Sequence, residues 1–177
     1  MSPTPDPLRS APPIGDGRRG VDDAGLNRPA AAPPPVQLDV RRARSDELGA
    51  CADLYVRVLT ETFTWQAPDR HRHEDFFRAA RDEEIYVAVV DGAILGLAAL
   101  YRPQSFLHSL YVDARGLGVG AALLAHVAAQ ADGPLSLKVQ EPNARARAFY
   151  AREGFICVEH GRDDDSDVAW LRLVRET

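Results

Sequence analysis

At 177 residues the chain has room for one domain and a tail, and its 45% hydrophobic and 27% charged content is ordinary for a globular protein. A net charge of −5 argues against a general nucleic-acid binder, which would carry a basic surplus. No apolar run approaches the ~20 residues of a membrane helix, and the N-terminus has no signal-peptide core, so a cytoplasmic protein is expected. Cys51 and Cys157, far apart and in apolar contexts, read as buried thiols of a reducing compartment.

Residues 1–35 hold nine of the thirteen prolines and no aromatic residue. Such a composition cannot bury enough apolar surface to offset chain entropy, so a disordered Pro/Ala-rich tail is predicted there and one folded domain over 36–177. Val36, Leu38 and Val40 alternate with polar residues as in a half-buried strand. Ser45 suits a helix N-cap, and Leu48, Cys51, Tyr55, Val58 and Leu59 follow helical spacing to about Thr60. After a break at 61–68, a second helix is predicted over Asp69 to Arg81, with Phe76 and Phe77 inward. Ile85 to Val90 and Ile94 to Tyr101 form a hairpin around Asp91-Gly92.

Phe106 to Val112 reads as a strand, followed by Arg115-Gly116-Leu117-Gly118-Val119-Gly120 and a helix over Ala121 to Ala131. Leu135 to Val139 is a further strand, and Asn143 can cap a helix over Ala144 to Arg152 that Gly154 stops. Phe155 to Glu159 and Val168 to Val174 are predicted to pair around an acidic loop. The order β-α-α-β-β-β-α-β-α-β-β implies an α/β protein with a mixed sheet, parallel only across the later helical crossovers.

Strand, glycine turn, helix is a layout that aims unpartnered backbone N–H groups at an anion, and glycines let a phosphate approach without meeting a Cβ. A Walker loop is excluded, because it needs a lysine after the turn and Lys138 is the only lysine in the chain. Gly116, Gly118 and Ala121 fit a dinucleotide fingerprint. However, a hairpin leads into this strand, and fewer than sixty residues follow, too few for the parallel strands such a fold needs.

Arg115 to Gly120, as Arg-x-x-Gly-x-Gly, resembles motif A of the GNAT superfamily of N-acetyltransferases. Asn143 to Tyr150, as Asn-x-x-Ala-x-x-Phe-Tyr, resembles its motif B, and Gly154-Phe155 follows as is typical. The resemblance spans about Val36 to Val174. Relatives commonly carry two more residues before the arginine, so the shorter Val112-Asp113-Ala114-Arg115 shifts which N–H groups meet phosphate.

The resemblance implies the GNAT fold, acetyl-CoA as cosubstrate, and transfer of its acetyl group to a primary amine, most readily of a small molecule. A protein lysine or N-terminus is the second acceptor class, and a non-catalytic CoA-binding module the third reading. The pyrophosphate would lie on Gly116, Leu117, Gly118, Val119, Gly120 and Ala121, with Arg115 adding charge. Leu110, Tyr111 and Val112 would meet the pantetheine arm through main-chain atoms where two strands splay, joined by Asn143 and Phe149. Tyr150 occupies the family's general-acid position, against the alternative of packing beside Phe149. For the base, His108 lies two residues before Leu110, hence on the same strand face, against the alternative of a satisfied buried histidine, and Glu61 is the competitor.

Phe63, Trp65 and Tyr101 are candidates to line the acceptor site. Asp163, Asp164, Asp165 and Asp167 form a solvated turn or, overhanging the site, a lure for a cationic amine. His71, His73 and Glu74 lie on an Arg-rich helix without matching ligands, so no metal is expected. Partners reduce to the amine and, as among relatives, a second copy in a homodimer; neither nucleic acid nor membrane is expected.

Overall fold

The computed structural model describes residues 37–63, 71–113, 116–163 and 167–176. The predicted tail lies outside them, as do Trp65, Arg115, Asp164 and Asp165. The strands are β1 (Leu38–Arg42), β2 (Glu84–Val90), β3 (Ala93–Tyr101), β4 (Phe106–Val112), β5 (Leu135–Gln140), β6 (Ile156–Arg162) and β7 (Ala169–Arg175). They form one sheet of order β1-β2-β3-β4-β5-β7-β6. Of the neighbouring strands described, β4 and β5 pair in parallel across the first predicted helical crossover; across the second, β6 runs parallel to β5 but β7 lies between them. The helices are α1 (Leu48–Thr62), α2 (His73–Ala79), α3 (Val119–Gln130) and α4 (Ala144–Arg152).

Two apolar clusters flank the sheet. Cys51, Ala52 and Leu54 of α1 and Phe76 of α2 pack on Ile85, Val87, Leu97 and Ala99. Leu123, Leu124 and Val127 of α3 and Tyr150 of α4 pack on the alternate residues of the opposite face. The period-2 pattern of the strands thus feeds both layers. Docking of α3 needs Gly96, where a Cβ would stand 2.8 Å from Val119 Cγ1 and 3.1 Å from the Tyr111 carbonyl oxygen.

Four local predictions require correction. Ser45 does not cap α1: Ser45–Glu47 is a separate 3-10 turn, and the Glu47 carboxylate accepts the Arg44 backbone N–H at 2.8 Å. Within the described residues the second helix runs only from His73 to Ala79. Phe76 is buried while Phe77 is 44% exposed, because neighbours on a helix point about 100° apart and only one can face α1. Cys51 is buried as expected, but Cys157 is exposed, since β6 is an edge strand with a register shift between Cys157 and Glu159.

Candidate active site

β4 and β5 pair at only two positions, Phe106 with Ser136 and Leu107 with Leu137, and then part. β5 continues against β7 and β4 against β3, so neither supports the other beyond that point. A groove of about 630 Å³ lies between them, in the size range of small-molecule sites. Its walls include Ser109 to Asp113 of β4 and its end, Lys138 to Gln140 of β5, the end of α1, the first turn of α3 and the inner face of α4.

The glycine turn stands at one end. Gly116 and Gly118 hold φ of +80° and +74°, the left-handed region that other residues enter at a cost. Gly118 occupies the N-cap of α3, and its carbonyl accepts from Ala122 N at 3.0 Å, so the preceding N–H groups of the first turn have no partner within the helix. At Gly120 a Cβ would meet Phe149 at 3.4 Å and Val112 at 3.6 Å, so α3, α4 and β4 converge there. Leu117 is exposed at the tip of the turn.

Tyr150 is held by the way α4 ends. The Phe155 N–H donates to the Tyr150 carbonyl at 3.0 Å and the Gly154 N–H to the Ala151 carbonyl at 3.2 Å, with Gly154 at φ +84°. This is the Schellman arrangement, and its hydrophobic clasp is Phe155 against the Tyr150 ring at 5.4 Å. The Gly-Phe pair seen in the sequence therefore fixes Tyr150. Burial raises the Tyr150 phenol well above its ordinary range, and the neighbouring Tyr111 phenol adds to the effect, so it stays protonated. Tyr150 lines the groove, and Phe149 meets it edge-on at 5.2 Å. Asn143 caps α4, its Oδ1 accepting from Ala146 N at 3.0 Å, and it too borders the groove.

The face assigned to His108 is corrected. Leu100 pairs with Leu107 and Ala99 with Ser109, so His108 is an extra residue that bulges β4. A bulge interrupts the alternation on which the same-face argument relied. Leu110 and Val112 pack toward α3, whereas Tyr111 packs toward α1. His108 stacks at 5° and 6.0 Å on Tyr101 and meets Phe106 edge-on at 4.7 Å. Both aromatics lie opposite Leu100 and Leu107 in the alternation, hence on the α1 side of the sheet.

His108 still borders the groove, as do Glu61 and Phe63. Tyr101 is held against His108 and is not part of the groove wall. His108 Nδ1 hydrogen-bonds Glu83, whose side chain is only 4% exposed and enters from the turn before β2. A carboxylate only accepts, so Nδ1 is the donor to Glu83 and, in the neutral imidazole, Nε2 is the nitrogen left to accept. On the same side Ser109 Oγ donates to the Tyr111 hydroxyl at 3.4 Å, and burial pushes the Tyr111 phenol up to about 12.

Sequence reasoning missed Glu83, Lys138, Arg145 and Arg152, of which the last three border the groove. Arg145 and Arg152 are two turns apart on α4, a spacing the sequence does contain; Glu83 carried no local signal. His73 bonds Asp53 at 2.8 Å. Among the described residues no group of three or more His, Cys, Asp or Glu side chains converges, and no helix is long and apolar enough to cross a membrane. Asp167 pairs with Arg162 at 3.3 Å.

The fold has known counterparts. The solution structure of apo YjaB from Escherichia coli superposes with a TM-score of 0.64 at 25% identity, covering 78% of this chain and 97% of that one. The PaiA N-acetyltransferase of Thermoplasma acidophilum, solved with coenzyme A, gives 0.61 over 80% and 99% of the two chains, and at 15% identity shows the fold alone. A curated relative, the 5-NmdU N-acetyltransferase of Pseudomonas phage PaMx11, is 37% identical over 78 residues, 40% of this chain. The chain spans 56% of that relative's length. The pattern of the Acetyltransferase (GNAT) family matches residues 50–155, from α1 through Tyr150 to Phe155, and the chain belongs to that family.

Proposed function

We propose that this chain transfers an acetyl group from acetyl-CoA to a primary amine of a small molecule, by direct attack of the amine on the thioester. The observation that carries the reading is a phenol kept neutral, Tyr150, on a groove between parted strands with an anion cradle at its far end. Acetyl-CoA supplies the activated acyl group. The first-turn N–H groups of α3 and the glycines before it suit a pyrophosphate, with Arg115 as in the sequence reading and with Arg145 and Arg152 adding charge from α4. The unpaired edge of β4 at Leu110, Tyr111 and Val112 offers backbone groups to an amide-bearing arm, as a missing strand would.

Tyr150 then donates its proton to the leaving sulfur, and His108 Nε2 takes a proton from the incoming amine. Glu83 holds the imidazole in the tautomer this requires and stabilises its charged form. Glu61, on the last turn of α1, is the alternative base. The phage relative's name supports N-acetyl transfer in particular. Thiol release measured over a panel of amines tests the whole reading: turnover on at least one amine is expected. Acetyl-CoA binding without release on any of them would replace it with a non-catalytic binding module.

The base is tested separately. With His108 as base, the acidic limb of the kcat profile depends on the imidazole being present. His108→Gln should abolish this acidic limb and lower the plateau. Glu83→Gln should keep the limb but lower kcat about tenfold, the low end for a group that only orients a base. An unchanged limb in His108→Gln transfers the role to Glu61.

A further inference from the structure

Beyond β4, the α1 side of the sheet carries a second feature, one that the proposed acid, base and anion cradle leave without a role. On β5 and β7 the residues facing away from the core are Ser136, Lys138 and Gln140, paired across the strands with Val174, Arg172 and Trp170. Lys138 and Arg172 therefore stand directly opposite each other, a like-charge pair that weakens a sheet. Arg172 is balanced by Glu159 at 3.8 Å. Lys138 has no acid partner among the described residues; its ammonium lies 3.8 Å from the centre of the Trp170 ring. The indole is in turn laid over Gly161, where a Cβ would come within 2.2 Å of it, so the absence of a side chain there sets the position of the ring. The only lysine of the chain is thus held by an aromatic face, which attracts its charge without neutralising it. It also forms part of the groove wall.

The two rims of the groove on this side are unlike. Glu61 and His108 line the α1 and β4 rim, and Lys138 lines the β5 rim. One rim suits an amine and its proton, the other an anion.

We propose that Lys138 binds an anionic group of the acceptor, so that the acceptor is a small amine bearing a carboxylate or a phosphate. The inference rests on the acetyl-transfer reading for the fate of the amine but not for the binding of the anion. An exposed ammonium at this point discriminates by charge, and an acceptor with a second cation is repelled.

The test uses the full chain with CoA present and three amines of similar length: ethanolamine, β-alanine and O-phosphoethanolamine. Calorimetric titration gives their affinities, and thiol release from acetyl-CoA gives kcat/KM. At least one anionic amine should exceed ethanolamine by tenfold or more in both, with the advantage shrinking as salt rises. Which of the two exceeds it distinguishes a carboxylate from a phosphate.

Lys138→Gln should bring the ratio near one through KM, whereas Lys138→Arg should keep most of it. Ethanolamine binding as well as both anionic amines overturns the inference, and so does a preference that survives Lys138→Gln. A preference in binding without thiol release on any amine upholds the anion site and overturns acetyl transfer instead.

Discussion

Tyr150→Phe is expected to lower kcat by about a hundredfold or more, in the range for loss of a positioned general acid, while the affinity for acetyl-CoA changes by less than roughly twofold. The substitution removes one oxygen and keeps the ring that Phe149 and Phe155 clasp, so α4 should stay where it is. The pH profile carries the sign. Burial raises the Tyr150 pKa, so the group remains a proton donor through and beyond the ordinary phenol range, and the wild type should show no alkaline fall in kcat from it near neutrality. Rapid-mixing kinetics with acetyl-CoA separate chemistry from binding. Turnover equal to wild type would reduce Tyr150 to a packing residue.

Gly96→Ala should damage both stability and cosubstrate binding, although Gly96 lies outside the groove wall. Its new Cβ would stand 2.8 Å from Val119 Cγ1, 3.0 Å from Leu123 Cδ1 and 3.1 Å from the Tyr111 carbonyl oxygen. Val119 and Leu123 are buried, and the carbonyl belongs to β4, so no flexible end is available to yield. Overpacking of this kind costs about 1–3 kcal/mol. Relief comes from lifting the start of α3, the turn that lines the groove and is proposed to hold the pyrophosphate, so CoA affinity should fall about tenfold with the melting temperature. Gly49→Ala is the matched control: it lies in α1 with nothing within 4 Å of its Cβ, and should be neutral or stabilising. Thermal melting and calorimetry with CoA decide both, and a Gly96→Ala protein matching wild type in the two would show that α3 is not seated through this contact.

Element order was legible because its signals are local. Asp91-Gly92 marks a hairpin, and the tight turn is there, with both residues at positive φ. Asn143 announces the start of α4 and Gly154 its end. What could not be read depends on partners distant in sequence. The bulge at His108 exists because β4 carries one residue more than β3 offers, and nothing within Phe106 to Val112 declares it. Glu83 reaches His108 across 25 positions, from a turn that carries no local signal. Phe77 turns away from α1 and Cys157 lies on an edge strand, so residue type alone overestimates the burial of both. Lys138 appeared as one polar residue in a strand, and only the β5–β7 register sets it against Arg172 and beside Trp170.

The parting of β4 from β5 also has a mechanical meaning. Two residue pairs are all that ladder the β1–β4 half of the sheet to the β5–β7–β6 half, so the sheet behaves as two leaves on a short hinge. A ligand that bridged Leu110 to Val112 and the facing strand would act as a splice between the two halves. By mass action a ligand at a hundred times its Kd adds about 2.7 kcal/mol to the folded state. That gain should concentrate at the hinge, seen as slowed amide exchange in β4 and β5 while β2 and β3, laddered on both sides, change little. In this chain the cosubstrate would serve as part of the architecture as well as the source of the acyl group.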